Sequence, residues 1–277
     1  EEFMMKHCLT IAGSDSCGGA GIQADLKAFS ANYVYGMSVI TAVTAQNTQG
    51  VFSVQDIDDE IIKNQIDAIF TDIRVDGVKI GMVSKIETIN AIAEELRQYK
   101  PTNLIIDPVI ISKSGFSLLK PESKKTLIKN LLPLADLITP NIPEAEEILK
   151  EIGSSIINIK TKEDMCDACK ELIKLGCKNV LLKGGHLDGE AIDVLFNGEE
   201  FHYFTSERID TKNTHGTGCT LSSTITANLA RGLSMEEAIS EAKRYITVAI
   251  KHSLDIGKGV GPTNHFYELY KKSGVIE

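Results

Sequence analysis

The chain carries 277 residues, 43% of them hydrophobic and 24% charged, with 29 Lys and Arg against 38 Asp and Glu and a formal net charge of −9. Such proportions exclude a disordered or fibrous chain, and the anionic surplus argues against a generic nucleic-acid binder, which needs cations to displace phosphate counterions. No run approaches the ~18 apolar residues that cross a bilayer, no basic-then-apolar leader opens the chain, and six scattered Cys are expected as reduced thiols; a cytoplasmic protein without nucleic-acid or membrane partners is expected.

Short β-branched runs alternate with amphipathic helical patterns, the signature of βαβ units around a mostly parallel sheet. Residues 1–5 are set outside the fold, and the rest up to residue 277 reads as a single domain, since no linker or repeat interrupts it. Cys8 to Ala12 predicts a buried strand entering a Gly-rich turn, after which Ile22, Leu26, Phe29 and Tyr33 recur at helical spacing. A strand over Met37 to Ala45 precedes a helix over Asp58 to Ile73 that buries Ile62, Ile66, Ile69 and Ile73, then a strand over Val78 to Gly81. Helices over Ile86 to Leu96 and Glu122 to Leu132 bracket a buried strand over Leu104 to Ile111, and Leu137 to Thr139 is a short strand. Thr161 with Asp164, and Ser234 with Glu237, read as capping boxes, in which the cap oxygen takes the N3 amide and the acid reaches back. Gly176 closes the first of those helices, and the second runs to about Leu254. Between them lie a strand over Val180 to Lys183 and an antiparallel hairpin whose Asn197-Gly198 predicts a type I′ turn.

The strongest local chemical signal is Asn213-Thr-His-Gly-Thr-Gly-Cys219, two glycines ahead of a helix over Thr220 to Arg231. Glycines let the backbone approach an anion, and unpaired amides with the positive end of the helix dipole stabilise it. Gly13 to Gly21 occupies the turn after the first strand, where open α/β sheets bind ligands, but it has neither the G-x-G-x-x-G nor the G-x-x-x-x-G-K-S/T register. Asp25, in the helix that follows, is placed to accept a hydrogen bond from a substrate hydroxyl. Asp107, Asn141 with Glu144, and Lys183 stand where buried strands end, positions that cost free energy unless the group is paired or used. Oxygen ligands for Mg²⁺ and its waters beside one cation suit a metal–triphosphate.

Leu9-Thr-Ile-Ala-Gly-Ser-Asp-Ser16, Gly18-Gly-Ala-Gly-Ile-Gln-Ala-Asp-Leu-Lys27, Ala45-Gln-Asn-Thr48, Lys79-Ile-Gly-Met82, Ile138-Thr-Pro-Asn141, Lys183-Gly-Gly-His186, Lys212 to Ser222 and Gly259-Val-Gly-Pro262 follow one another in this order. Together they resemble the hydroxymethylpyrimidine/phosphomethylpyrimidine kinases of the ribokinase-like superfamily. The resemblance implies a three-layer α/β/α fold with a central, mostly parallel sheet, ATP and Mg²⁺ as cofactors, and a homodimer. It further implies that Gly13, Asp25, Gln46 and Met82 line a pyrimidine pocket. Asp107, Asn141, Glu144 and Lys183 would serve ATP, with Glu144 and Asp107 reaching the metal through water, and Gly216, Thr217, Gly218 and Cys219 would form the anion hole. Gln46 offers a donor and an acceptor to a pyrimidine edge; Met82 offers a polarizable thioether to its face.

The reaction so implied moves the ATP γ-phosphoryl to the hydroxymethyl oxygen of 4-amino-5-hydroxymethyl-2-methylpyrimidine and a second onto that monophosphate. The superfamily usually has Asp where this chain has Cys219. A phosphate monoester is already anionic near neutral pH and needs no strong base, whereas the alcohol step would draw on a Cys219 thiol whose pKa the helix N-terminus lowers. A pyridoxal or pyridoxine kinase is the nearest rival; a silent nucleotide-binding regulator and a nicotinamide-dependent oxidoreductase are more remote. His215 and His186 flank glycines near the proposed site. Cys166-x-x-Cys169 with Cys177 sits within and just beyond one predicted helix and lacks a fourth zinc ligand. The Gly13 to Gly21 loop and the Lys113 to Phe116 segment are the two lid candidates.

Overall fold

Alternate strand residues are apolar toward both faces here, as a sheet covered by helices on each side requires. The computed structural model describes residues 4–112, 115, 117–185, 187 and 191–277. In chain order the elements are β1 (Lys6–Asp15), α1 (Gly21–Ala31), β2 (Val34–Asn47), β3 (Gly50–Asp56), α2 (Asp59–Phe70), β4 (Gly77–Ile80), α3 (Ile86–Tyr99), β5 (Leu104–Ile106), α4 (Lys124–Thr126), β6 (Leu137–Ile138), α5 (Ile142–Glu151), α6 (Lys162–Leu172), β7 (Val180–Lys183), β8 (Ala191–Phe196), β9 (Phe201–Ser206), α7 (Thr217–Ala230), α8 (Met235–Lys251) and α9 (Tyr267–Lys272). They build a sheet of order β3-β2-β1-β4-β5-β6-β7-β8-β9. The six central strands pair parallel, and β3, β8 and β9 add antiparallel margins.

Leu9, Ile11, Val78, Ile80, Leu104, Ile106, Val180 and Leu182 face one way, into a core shared with α2, α3, α5 and α6. The intervening Ile105, Leu137, Leu181 and Leu195 face the other way, against α7 and α8, while Cys8 packs with Phe29 of α1 and Ala227 of α7. Each fully buried Leu or Ile stabilises this arrangement by ~2 kcal/mol. Two polar residues interrupt the second face, Thr10 of β1 and its register partner Lys79 of β4, both fully buried.

Both expected capping boxes form, at Thr161/Asp164 and Ser234/Glu237, and Gly176 ends its helix at φ +108°. Several expectations need correction. The strand from Leu104 stops at Ile106, because Pro108 has no amide for the ladder. The helix expected over Glu122 to Leu132 is broken into a 3₁₀ turn, the single turn α4, a π-helical turn and a second 3₁₀ turn, with Pro121 and Pro133 in the flanking 3₁₀ pieces. Ile62 and Ile66 are fully buried, whereas Ile69 in the last turn of α2 and Ile73 beyond its end at Phe70 are only partly buried. Strand β3 was not predicted; Ser53, Gln55 and Asp56 on it are polar and Phe52 is exposed. The β8–β9 connection is the four residues 197–200, between the paired Phe196 and Phe201. Gly198 alone there has positive φ, and the Asn197 side chain accepts the Glu199 and Glu200 amides, so it is no type I′ turn. Finally, α7 begins at Thr217, one turn's breadth ahead of the expected Thr220.

Candidate functional site

The chain passes from β1 to β2 on one side and returns to β4 on the other, so a crevice opens beyond the carboxyl end of β1, as at other switch points of open sheets. Gly21, at φ +57°, starts α1 there, and a Cβ on it would stand 2.3 Å from the Gly13 carbonyl oxygen. Asp15 holds the loop. Its carboxylate accepts the amides of Cys17, Gly19 and Ala20 at 2.8–3.1 Å and pairs with His215 Nε2 at 2.8 Å. Burial would raise the Asp15 pKa, but the His215 bond and the loop amides hold the carboxyl below its usual range. Sequence reasoning passed over Asp15; its signal was an Asp just after a strand and ahead of a Gly run, the setting of an Asx turn.

The glycine turn before α7 rests on that loop. Gly216 caps α7 at φ +81° without a side-chain hydrogen bond, and a Cβ there would lie 1.7 Å from the Gly19 carbonyl oxygen. The first turn of α7 faces the polar strand ends, for a Cβ on Gly218 would stand 3.5 Å from both Asp107 Oδ2 and Lys183 Nζ. Lys183 donates to Asp107 Oδ1 at 3.1 Å, and Thr139 donates to the same oxygen at 3.0 Å. Asn141 and Glu144 form a reciprocal capping box at the head of α5, 2.9 Å each way, and Asn141 bridges in parallel to Lys183. Thus Gly216 to Cys219, Asp107, Asn141, Glu144 and Lys183, more than a hundred residues apart at the extremes, meet at the carboxyl edge of the sheet.

Two carboxylates share one ammonium here. Burial lowers the Lys183 pKa, but Asp107 and then Glu144 more than offset it, and the group sits above the ordinary lysine range. Burial, with Asp107 adding repulsion against the opposing pull of Lys183, pushes the Glu144 carboxyl up to about 7. A carboxylate excess of this kind suits a hard divalent cation with its waters. Because the folded pKa lies above the unfolded one, the folded state binds the extra proton, and Glu144's contribution to stability is full below about pH 4.5 and lost as the pH rises to about 7. Glu144→Gln, which keeps an acceptor for the Asn141 amide, is therefore expected to flatten the dependence of Tm on pH between about 5 and 7, read by thermal melts across that range. A slope like that of the parent chain would refute this.

On the other side of the crevice, Gln46 donates its backbone N–H to Ser16 Oγ at 2.8 Å, and its side-chain Oε1 accepts from Thr44 at 3.2 Å. Gln46, His215, Thr48, Gly50 and Val260 line a cavity of about 70 Å³. Met82 is almost buried, with its Sδ 2.9 Å from where a Gly13 Cβ would be, so Gly13 is what lets the thioether reach the strand. Asp25 does not join them. It is fully buried, and its oxygens take Thr10 at 2.6 Å, Ser223 at 2.6 Å and Lys79 at 2.9 Å, which corrects the expectation that it faces a substrate hydroxyl. The lowered Cys219 pKa is corrected too: burial pushes the thiol up, and the nearby Lys79 ammonium offsets this only in part. His186 and, save Gly115, the Lys113 to Phe116 segment lie outside the described residues.

A groove of about 470 Å³ runs between β9 and α8, lined among others by Ser206, Lys243, Arg244 and Thr247. Lys243 reaches Asp193 at 2.8 Å, and Asp193 is the register partner of Lys183, so the groove is linked to Lys183 through one ion pair and one strand pairing. Among the described residues no helix is long and apolar enough to cross a membrane.

The chain is similar to known proteins over nearly its whole length. The thiamine biosynthesis bifunctional protein ThiED of Geobacter sulfurreducens is 50% identical over 264 residues, 95% of this chain, which spans 53% of that protein's length. A hydroxymethylpyrimidine/phosphomethylpyrimidine kinase of Rhizobium meliloti is 49% identical, covering 97% of this chain and all of its own. A solved phosphomethylpyrimidine kinase from Clostridium difficile superposes with TM-score 0.79 at 56% identity over 89% of this chain and all of that one. Pyridoxal kinase from Bacillus subtilis, solved with ADP, superposes with TM-score 0.86 at 42% identity over 95% and 98%. With the phosphomethylpyrimidine kinase family matching residues 15–264, and so taking in the Asp15 loop, the polar strand ends and the glycine turn alike, the chain belongs to that family.

Proposed function

We propose that the protein phosphorylates 4-amino-5-hydroxymethyl-2-methylpyrimidine and then its monophosphate, using ATP, to give the diphosphate for thiamine biosynthesis. The observation that carries the reading is the meeting of the glycine turn at α7 with Lys183 and Asp107, opposite Gln46 and Met82 across the Gly13 to Gly21 loop. The helix head and Lys183 would hold the transferring phosphoryl, Gly13, Gln46 and Met82 the pyrimidine, and the groove by Lys243 the adenosine. In the first transfer the bond from the γ-phosphorus to its bridging oxygen breaks, the hydroxymethyl oxygen bonds to phosphorus, the hydroxyl proton is lost to solvent and ADP leaves. Glu144 and Asp107 would hold Mg²⁺ through its waters, which when bound neutralises triphosphate charge. Positioning and charge neutralisation supply most of the rate enhancement of such transfers. A reduced, cytoplasmic setting agrees with the six free thiols, and a homodimer, read by sedimentation velocity, is part of the same reading.

Burial raises the Cys219 thiol rather than lowering it, so this reading gives Cys219 its backbone amide at the head of α7 as its part in the transfer. Cys219→Ala is expected to slow both transfers by a similar factor of less than ~10, as measured in separate assays of the two steps; a loss confined to the alcohol step would restore the base. The likeness to pyridoxal kinase favours one rival, phosphorylation of pyridoxal. Phosphorus NMR with Mg-ATP and either pyrimidine or pyridoxal tests both: a pyrimidine diphosphate is expected, and phosphorylation of pyridoxal alone would overturn the proposal.

A further inference from the structure

Among the described residues, one charged pair is sealed from water on both sides, Lys79 with Asp25, each side chain 0% exposed. Four elements meet there. Thr10 of β1 and Lys79 of β4 are register partners, placed by the period-two alternation on the face covered by α1 and α7. Asp25 comes from the second turn of α1 and Ser223 from the second turn of α7, and Asp25 accepts from Thr10, Lys79 and Ser223. Burying two charges costs several kcal/mol per ion, and an apolar pair of the same volume would often be as stable, so packing alone gives no reason for this one. Its place gives a reason. It lies about one turn beneath the start of α1 at Gly21 and nearly two turns beneath the start of α7 at Thr217, the two helix heads that flank the crevice, and Ser223 is one helical turn on from Cys219, on the same face.

We propose that Lys79 and Asp25, with Thr10 and Ser223, are positioning residues that lock the helix head carrying the acceptor loop to the helix head carrying the phosphate cradle, setting the distance and angle at which the acceptor oxygen meets the phosphoryl group. The inference rests on the kinase reading above. A directional network, in which each Asp25 oxygen accepts two hydrogen bonds, resists sliding between two helices in a way that aliphatic contacts do not, and phosphoryl transfer is sensitive to such displacement: ~1 Å of misplacement costs roughly 100-fold.

The test is the Asp25→Asn/Lys79→Met double variant, which removes both charges together and leaves no lone buried ion, alongside Ser223→Ala, which deletes one hydrogen bond and keeps the pair. Steady-state kinetics with Mg-ATP and hydroxymethylpyrimidine are expected to give a kcat lowered roughly 10- to 100-fold in the double variant and about 3- to 10-fold in Ser223→Ala. KM for either ligand is expected to stay within about 3-fold, with circular dichroism confirming the fold. Loss of kcat without loss of KM is what misalignment produces and what mere loosening of the core does not. Should the double variant fail to fold, Ser223→Ala decides alone. A kcat within about 2-fold of the parent, or a loss carried by KM, would overturn the proposal. The parent chain assayed in parallel separates the two levels, since absence of any phosphorylated pyrimidine there sinks the kinase reading itself.

Discussion

Lys183→Met is expected to lower kcat for both transfers by roughly 100- to 1,000-fold, the size of effect seen when one pre-placed donor to developing charge is removed. Among the described residues the side chain is the one cation that pairs with Asp107, and it stands 3.5 Å from the space beside Gly218. Its loss also leaves two carboxylates facing each other without a counter-charge, which breaks a buried pair and costs about 3 kcal/mol of stability. The two effects separate in a second variant. Adding Asp107→Asn to Lys183→Met removes the repulsion between the two carboxylates, so the melting temperature is expected to recover in large part while the rate does not. Recovery of both would reduce Lys183 to a structural ion.

Gly218→Ala is expected to do the reverse, keeping or raising stability while lowering kcat/KM roughly 100-fold or more. Gly218 lies in the first turn of α7 and is absent from the positive-φ glycines, so Ala fits its backbone and gains ~1 kcal/mol of helix propensity. The new methyl would meet Asp107 Oδ2 and Lys183 Nζ at 3.5 Å, ordinary contact distances. It would, however, occupy the ground a phosphate oxygen must take to come within hydrogen-bond reach of both the amides and Lys183. Thermal melts beside steady-state kinetics check it, and an active, stable Gly218→Ala would show that phosphate does not sit on this turn. Gly216, two residues earlier, is different: its φ of +81° and the 1.7 Å approach to the Gly19 carbonyl oxygen leave a side chain no room at all.

Much of the site was legible one stretch at a time. The polar residues ending buried strands, Asp107, Asn141 and Lys183, stood out because a strand that is apolar throughout has no local use for them, and the structure brings them together. The glycine turn was legible because only glycine tolerates its backbone and its close approach to the first loop. Lys79 was not singled out, although a lysine in the middle of Val78-Lys79-Ile80 breaks the same rule, because its partner Asp25 reads locally as an exposed first-turn acid. Strand β3 escaped because a solvated edge strand shows no buried run, and the Glu122 to Leu132 segment misled because its apolar spacing is helical while Pro121 and Pro133 divide it.

The sequence by itself determined the alternation of strands and helices, the capping boxes at Thr161 and Ser234 and the glycine turns, since each depends on residues within about a turn of one another. Only the tertiary structure decided that Asp15 pairs with His215 across 200 residues, that Asp25 turns from the crevice to Lys79, and that the Cys219 thiol is raised rather than lowered. Those outcomes follow from which strands lie side by side and how far each group is withdrawn from water, and burial acts on a charge over distances that no local pattern of residues encodes.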